Sequence, residues 1–363
     1  MNYFKRIFRW LLKRVQIINE NLILTFYKLN TIFFYFFNLK KPNKNDFSEN
    51  QIKEFINNYY QGYSHKHTLD VLSEIWREIV RNNSLDVLKL IESNNSKKLK
   101  KHYDNYHDSS LAIGADDSSL LKNPFFRLRA AIRHNYQLYN YMIHKNFLPL
   151  PNKFQPNLGF RSKLNNAKLE IKSILERLPS SIDIKQFYRF KSSDFEIPID
   201  FLDHLFFFEV IQEFIGKKNQ DFIEIGSGTG TFSLMLSEIG QHNLYMIDLA
   251  PFLIIQNLLL GSAHEYLPSE YIKYSTPKNI KFAVNQDSFP EINPIELEKL
   301  IKFVHDCNVK YIFSYNQTSN YRNQSDYRTI LLSSGFKEII SFISPMREGY
   351  KIKIFERKGF LNN

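Results

Sequence analysis

The chain has 363 residues, enough for two domains at roughly 100–200 residues each, and its 43% hydrophobic and 15% aromatic content excludes a globally disordered protein. A single cysteine, Cys307, excludes an intramolecular disulfide and any cysteine-cluster metal site. The formal charge of +11 is lopsided: residues 1–45 carry nine Lys and Arg against Glu20 alone, leaving +3 for the other 318 residues, so a basic tail on a near-neutral body speaks against nucleic acid as the partner.

At the start, Phe4, Ile7, Phe8, Leu11, Leu12, Val15 and Ile18 fall at helical spacing, with Lys5, Arg6, Arg9, Lys13 and Arg14 filling the rest of each turn. This is the pattern of a basic amphipathic helix that suits an anionic membrane surface. The stretch Leu22 to Leu39 is mostly apolar, but Lys28, Asn30 and Asn38 interrupt it, and a spanning helix needs about 20 apolar residues. No apolar run followed by small residues marks a cleaved signal peptide. Residues 1–45 therefore read as a separate basic, aromatic segment, and two readings stay open. It packs on the body or on a partner, an oligomer included, or residues 1–40 touch the inner face of the cell membrane from a cytoplasmic protein.

Residues 46–195 read as a mainly helical domain for substrate binding or oligomerisation. Leu69, Leu72, Ile75, Trp76, Ile79 and Val80 repeat at helical spacing and predict a helix, as do Leu85, Leu88 and Ile91. Asn82-Asn83-Ser84 and Ser93 to Ser96 punctuate them. A further helix is expected after Pro124, carrying Arg127, Arg129, Arg133, His134, Tyr136, Tyr139 and Tyr141. It has either a solvated or structural face, or a surface for carbohydrate or phosphate. Leu148 to Leu158, with Pro149, Pro151 and Pro156, reads as a linker. Cys307 falls in a later predicted helix, where burial makes a thiol inert.

The informative segment runs from Asp221 to Leu236. Phe222, Ile223 and Ile225 form a short apolar strand; Gly226, Gly228 and Gly230 form a tight turn; Thr231 to Ile239 form a helix ended by Gly240. Glycine suits this turn because a side chain would hold the backbone off a ligand lying across the strand end. The dinucleotide fingerprint spaces its glycines G-x-G-x-x-G to set a helix N-terminus against a pyrophosphate. Here the third glycine comes one residue early, and Glu224 precedes the first by two. A carboxylate there repels a diphosphate but suits a cationic sulfonium with its amino group, and an ionised residue so placed needs a partner. Asn243 to Asp248 supplies a second strand, whose closing Asp248 is suited to take both ribose hydroxyls.

The spacing E-x-G-x-G-x-G resembles motif I of class I methyltransferases, which implies S-adenosylmethionine as cofactor. The expected contacts are Glu224, Gly226, Ser227, Gly228, Thr229, Gly230, Asp248, Leu249 and Asn285. Further elements follow in order: helix Pro251–Gly261, strand Ile280–Asn285, helix Pro294–Asp306, strand Val309–Tyr315, helix Ser325–Ser334, and an antiparallel pair Phe336–Ile343 and Tyr350–Arg357. Between Ala263 and Lys278 no convincing third strand appears, so no adenine-contacting residue is assigned. The fold class is α/β, a Rossmann-like class I methyltransferase sheet over residues 196–363 with helices on both faces, preceded by the mainly helical region.

Longer runs carry a second resemblance: Ile199 to Glu213, then Glu224 to Gly230, then Ile247 to Pro251, with Asn285-Gln-Asp-Ser288-Phe-Pro-Glu291 after the fourth strand. Together they resemble the sugar O-methyltransferase family of bacterial surface-polysaccharide clusters, over roughly residues 110–356. Ser227 and Thr229 stand where that family has bulkier residues or glycine. The resemblance implies a sugar or glycan hydroxyl as acceptor. An alcohol is a weak nucleophile at neutral pH, so a base must take its proton. The candidates are Glu291, Asp287 and His204. Asp287 with Asp306 or Glu291 lacks recognisable metal-ligand spacing, so no metal is expected. Two other readings stand beside this one: transfer to another small molecule, and a non-catalytic scaffold for a membrane complex that keeps the fold.

Overall fold

The computed structural model describes residues 29, 32, 33, 35–42, 45–105, 118–145, 159–177, 189–191, 196–216, 219–260, 265–269, 280–317 and 326–359. The expected amphipathic helix Phe4–Ile18, most of the stretch Leu22–Leu39 and the linker Leu148–Leu158 lie outside them. Among the described residues no helix is long and apolar enough to cross a membrane.

A two-residue strand, β1 (Leu39–Lys40), precedes five short helices: α1 (Glu49–Tyr59), α2 (His65–Val71), α3 (Glu74–Asn83), α4 (Leu85–Glu92) and α5 (Ser96–Asp104). The polar punctuation sits at their junctions. Ser84 separates α3 from α4, and Asn95 caps α5 by accepting from the Lys98 N–H at 3.1 Å. The single helix expected from the Leu69–Val80 periodicity is instead two, broken at Leu72-Ser73. A tertiary backbone contact breaks it: Leu72 forms an antiparallel bridge with Ile292, the Ser73 N–H donates to the Glu291 carbonyl at 2.8 Å, and the Asn293 N–H donates to Val71 at 2.9 Å.

Next come α6 (Pro124–His144) and α7 (Gly159–Glu176), then strands β2 (Arg189–Lys191) and β3 (Glu196–Pro198), which join β1 in a small antiparallel sheet. Helix α6 starts at Pro124 behind an Asn123 cap. Its Arg- and Tyr-rich surface is mostly turned inward: His134, Tyr139 and Tyr141 are buried, and Arg133 pairs with Asp200 at 2.7 Å. Of its three tyrosines only Tyr136 is exposed.

Helix α8 (Phe201–Ile215) leads into the main sheet, formed by β4 (Asp221–Ile225), β5 (Asn243–Asp248), β6 (Glu265–Pro268), β7 (Phe282–Gln286), β8 (Tyr311–Gln317), β9 (Phe336–Ile343) and β10 (Tyr350–Arg357). Between them run α9 (Thr231–Leu234), α10 (Ala250–Leu260), α11 (Pro294–Asp306) and α12 (Tyr327–Ser333). The strand order is β6-β5-β4-β7-β8-β10-β9; the first five are parallel, and β10 inserts antiparallel between β8 and β9. The order reverses direction between β4 and β7, the switch point where doubly wound sheets open a crevice for ligands beyond their C-terminal strand ends.

The third strand that the sequence does not reveal is β6, paired in parallel with β5 from Tyr245↔Glu265 to Asp248↔Pro268. It has four residues, and Pro268 closes it. Both are tolerated because an edge strand is paired on one side only. The expected helix Thr231–Ile239 is also modified: after α9 the backbone loosens into a π turn over Met235–Ile239, which ends with the Gly240 N–H on the Met235 carbonyl at 2.9 Å.

The alternation of each strand sorts its side chains into two cores. Phe222, Leu244, Met246, Phe282, Val284, Phe313 and Ile352 face α8, α10 and the N-terminal helices. Ile223, Ile225, Ile247, Ala283 and Ile312 face α11 and α12. Glu224 has the parity of Phe222, so its carboxyl turns to the first face at the open end of the strand. Cys307 follows α11, is fully buried, and burial pushes its thiol up to about 12, which leaves it inert.

Candidate functional site

A cavity of about 690 Å³ lies beyond the C-terminal ends of β4, β5 and β7. It brings together Glu224, Gly226, Ser227, Gly228, Thr229, Asp248 and Leu249 with His204, Asp287 and Glu291. Two expected residues are not on its wall. Gly230 is the left-handed N-cap of α9. Asn285 is fully buried: its amide nitrogen donates to the Ile225 carbonyl at 2.9 Å and to Ser288 Oγ, and its oxygen accepts from the Asn316 side-chain amide at 2.7 Å. Asn285 therefore ties the loop after β7 to the end of β4.

That tie supplies the reason for the first glycine. Ser288 Oγ donates to the Ile225 carbonyl at 3.1 Å and thereby sits over the turn. A Cβ on Gly226 would lie 2.1 Å from that oxygen, and its φ of +71° already disfavours any side chain. The glycine makes room for a serine of the protein, not only for a ligand.

The three glycine N–H groups are consumed internally. Gly226 donates to Ile247 O at 2.8 Å, Gly230 to Ser227 O at 2.9 Å, and Gly228 to Asp248 Oδ2 at 2.9 Å. Asp248 also accepts from its neighbour Leu249 N at 2.7 Å and from Gln256 Nε2 at 3.2 Å, so its carboxylate is fixed at the strand end by backbone and α10. Glu224, 2% exposed, accepts from Ser233 Oγ of α9 at 2.6 Å. Burial pushes its carboxyl up to about 8, with Asp248 adding repulsion and Ser233 opposing. Ser227 Oγ is buried on the cavity wall with no hydrogen-bond partner among the described residues.

Where His204, Gln286 and Asp287 line the cavity, a charged network begins. His204 Nδ1 lies 2.9 Å from Gln286 Oε1. An amide oxygen only accepts, so Nδ1 carries the proton and Nε2 holds the free lone pair. Burial lowers the His204 pKa, with Gln286 opposing, which keeps the ring neutral. Asp287, with its backbone at φ +65°, pairs with Arg347 from the turn between β9 and β10. Arg347 also stands 3.8 Å from Asp203 and 4.0 Å from the Tyr350 ring centroid. Asp203 is fully buried and accepts from the Tyr315 hydroxyl, which contacts Ser344 Oγ at 2.8 Å. Burial pushes Asp203 up to about 7, with Arg347 opposing. For Asp200 burial acts upward too, but Arg133 and Arg347 outweigh it and hold the carboxylate low.

Sequence reasoning missed Ser233, Gln286, Asp203, Arg347 and Tyr315. Arg347 had one available signal, since a hairpin that returns antiparallel to β8 brings its turn to the cavity end of the sheet. It also missed Trp76 of α3, which lines the cavity beside Val71 and Leu72.

No family model matches the chain, and no curated protein matches it. Among solved structures it is similar to a SAM-dependent methyltransferase from Aquifex aeolicus at 18% identity, over 41% of this chain and 88% of that one, with a TM-score of 0.34. It is similar to the magnesium protoporphyrin IX methyltransferase of Synechocystis at 14% identity, over 43% and 80%, with a TM-score of 0.35. A third likeness is to the 1,6-didemethyltoxoflavin-N1-methyltransferase of Burkholderia thailandensis at 12% identity, over 42% and 77%, with a TM-score of 0.35. Each likeness spans less than half of this chain.

Proposed function

We propose that this protein is an S-adenosylmethionine-dependent methyltransferase whose acceptor is a hydroxyl group, on a sugar or glycan. One observation carries the cofactor reading: a glycine turn whose three glycine N–H groups are already satisfied, set between two buried acids. A diphosphate needs free N–H groups and positive potential at such a turn. This turn offers a carboxylate in their place, and burial keeps a second carboxyl protonated until a cation arrives. The residues present fit the cofactor: Ser227 Oγ offers an unused polar atom to the amino-acid end, Glu224 faces the positive charge, and Asp248 is fixed where a ribose meets it.

When bound, the cofactor supplies an electrophilic methyl group on a sulfonium, so that an S–C bond breaks as an O–C bond forms. The protein must orient the acceptor hydroxyl and take its proton. His204 is the best placed of the three candidate bases, because it is neutral, faces the cavity, and has its tautomer set by Gln286 with Nε2 unprotonated. Asp287 is engaged by Arg347, and Glu291 lines the cavity from the loop after β7. The sugar class is supported by the resemblance of Ile199–Glu213, Ile247–Pro251 and Asn285–Glu291 to sugar O-methyltransferases.

The test is incubation with methyl-labelled cofactor and a panel of acceptors, bacterial surface glycans and non-sugar alcohols among them, with the new methyl ether located by mass spectrometry. Label on a glycan oxygen supports the reading. Transfer only to nitrogen, or calorimetry showing that S-adenosylmethionine does not bind, overturns it.

A further inference from the structure

We propose that the N-terminal helices complete the nucleoside half of the cavity, with the indole of Trp76 forming a wall against the adenine ring. The proposal rests on the S-adenosylmethionine reading above and concerns which part of the chain holds its base.

The geometry follows from the order of the strands. The serine-bearing turn and Glu224 stand at the end of β4, and Asp248 stands at the end of the neighbouring β5. A nucleoside whose amino-acid end meets the turn and whose ribose meets Asp248 has its base beyond Asp248, because the ribose joins the two. There the wall is not made by the sheet domain alone. Leu249, the residue after Asp248, forms one apolar cluster with Val71 and Leu72, and Trp76 and Phe252 pack against it. All five line the cavity. A flat heteroaromatic ring is the ligand group that suits such a slot, since its faces are apolar and stack on aromatic side chains.

Main-chain bonds anchor the helix that carries Trp76. The Leu72–Ile292 bridge and the Ser73 and Asn293 hydrogen bonds fix the start of α3 against the loop after β7, one turn before Trp76. The side chain is only partly buried, so the core does not account for its place.

The chain has two tryptophans, Trp10 and Trp76, so full-length W10F protein leaves Trp76 as its one indole. Titrating that protein with S-adenosylhomocysteine, with emission and calorimetry read in parallel, should give a saturable change in Trp76 emission at the calorimetric Kd. W76A in the full chain should weaken binding about tenfold, with W76F recovering most of it. If calorimetry reports binding while Trp76 emission is unmoved and W76F and W76A bind as tightly as the parent, the proposal is overturned and the cofactor reading survives. A change in emission caused by glycan acceptors and not by the nucleoside also overturns it. Absence of calorimetric binding to the parent protein overturns the cofactor reading and this proposal together.

Discussion

The two ends of the cavity are built on opposite plans. At the glycine-turn end the polar groups come from one short stretch, Glu224 to Leu249, joined by Gln256, and backbone N–H groups hold both oxygens of Asp248. At the His204 end the charges come from separate parts of the chain: Asp200 just before α8, Asp203 on it, Asp287 after β7, Arg347 in the last hairpin. Main-chain anchors resist substitution of neighbouring side chains. A buried balance of charges does not, because removing one member leaves the others uncompensated. The first end thus keeps its shape when one side chain changes, and the second depends on every member.

The largest expected effect lies at the His204 end. His204→Ala should lower turnover about 10²–10⁴-fold, the range for loss of a general base, with cofactor affinity unchanged. Stopped turnover assays with parallel calorimetry check this; wild-type turnover would exclude His204 and leave Asp287 and Glu291 as the candidate bases. Next comes Arg347→Met, which leaves Asp200, Asp203 and Asp287 without their shared cation. It should destabilise the fold by about 2 kcal/mol, less than a fully buried pair because Arg347 is partly exposed and Asp203 can take a proton. Thermal unfolding should show a larger loss at pH 8 than at pH 6. An equal loss at both would mean that Asp203 stays ionised throughout.

At the glycine-turn end, Asp248→Ala should weaken S-adenosylhomocysteine binding at least tenfold, about 1.4 kcal/mol, with turnover at saturation little changed. Unchanged calorimetric affinity would remove Asp248 from the site. The smallest effect is a fraction of a proton. Glu224 has a folded-state pKa of about 8, above its ordinary 4.5, so the stability this adds is present below pH 4.5 and lost as pH rises through about 8. A cationic ligand favours the ionised form, so at pH 7 S-adenosylmethionine should release a proton on binding, and its affinity should rise toward pH 8. Calorimetry in buffers of differing ionisation enthalpy measures this release. Glu224→Gln should abolish it, and no buffer dependence in the parent protein would show that Glu224 is already ionised.

The same contrast explains what was legible beforehand. The strand, turn and helix from Asp221 onward are set by local alternation and glycine spacing, and α11, β9 and β10 fall where their periodicity puts them. Strand β6 was hidden because four edge residues ending in proline carry little periodicity. The break between α2 and α3 was hidden because its cause, Ile292, is more than 200 residues away. Asn285 sits where a cofactor contact was expected, yet its neighbours Ser288 and Asn316 claim its hydrogen bonds. No local pattern joins Asp203 to Arg347, since only the completed sheet brings α8 and the final hairpin together.

The bridge between Leu72 and Ile292 has a kinetic consequence. It closes a loop of about 220 residues, and a contact of such long sequence separation costs more loop-closure entropy than local contacts within a helix. The crevice is complete only once the N-terminal helices have docked on the sheet. A chain caught before that docking step would carry a formed sheet yet lack one side of its ligand slot, so recovery of cofactor affinity during refolding should trail recovery of secondary structure.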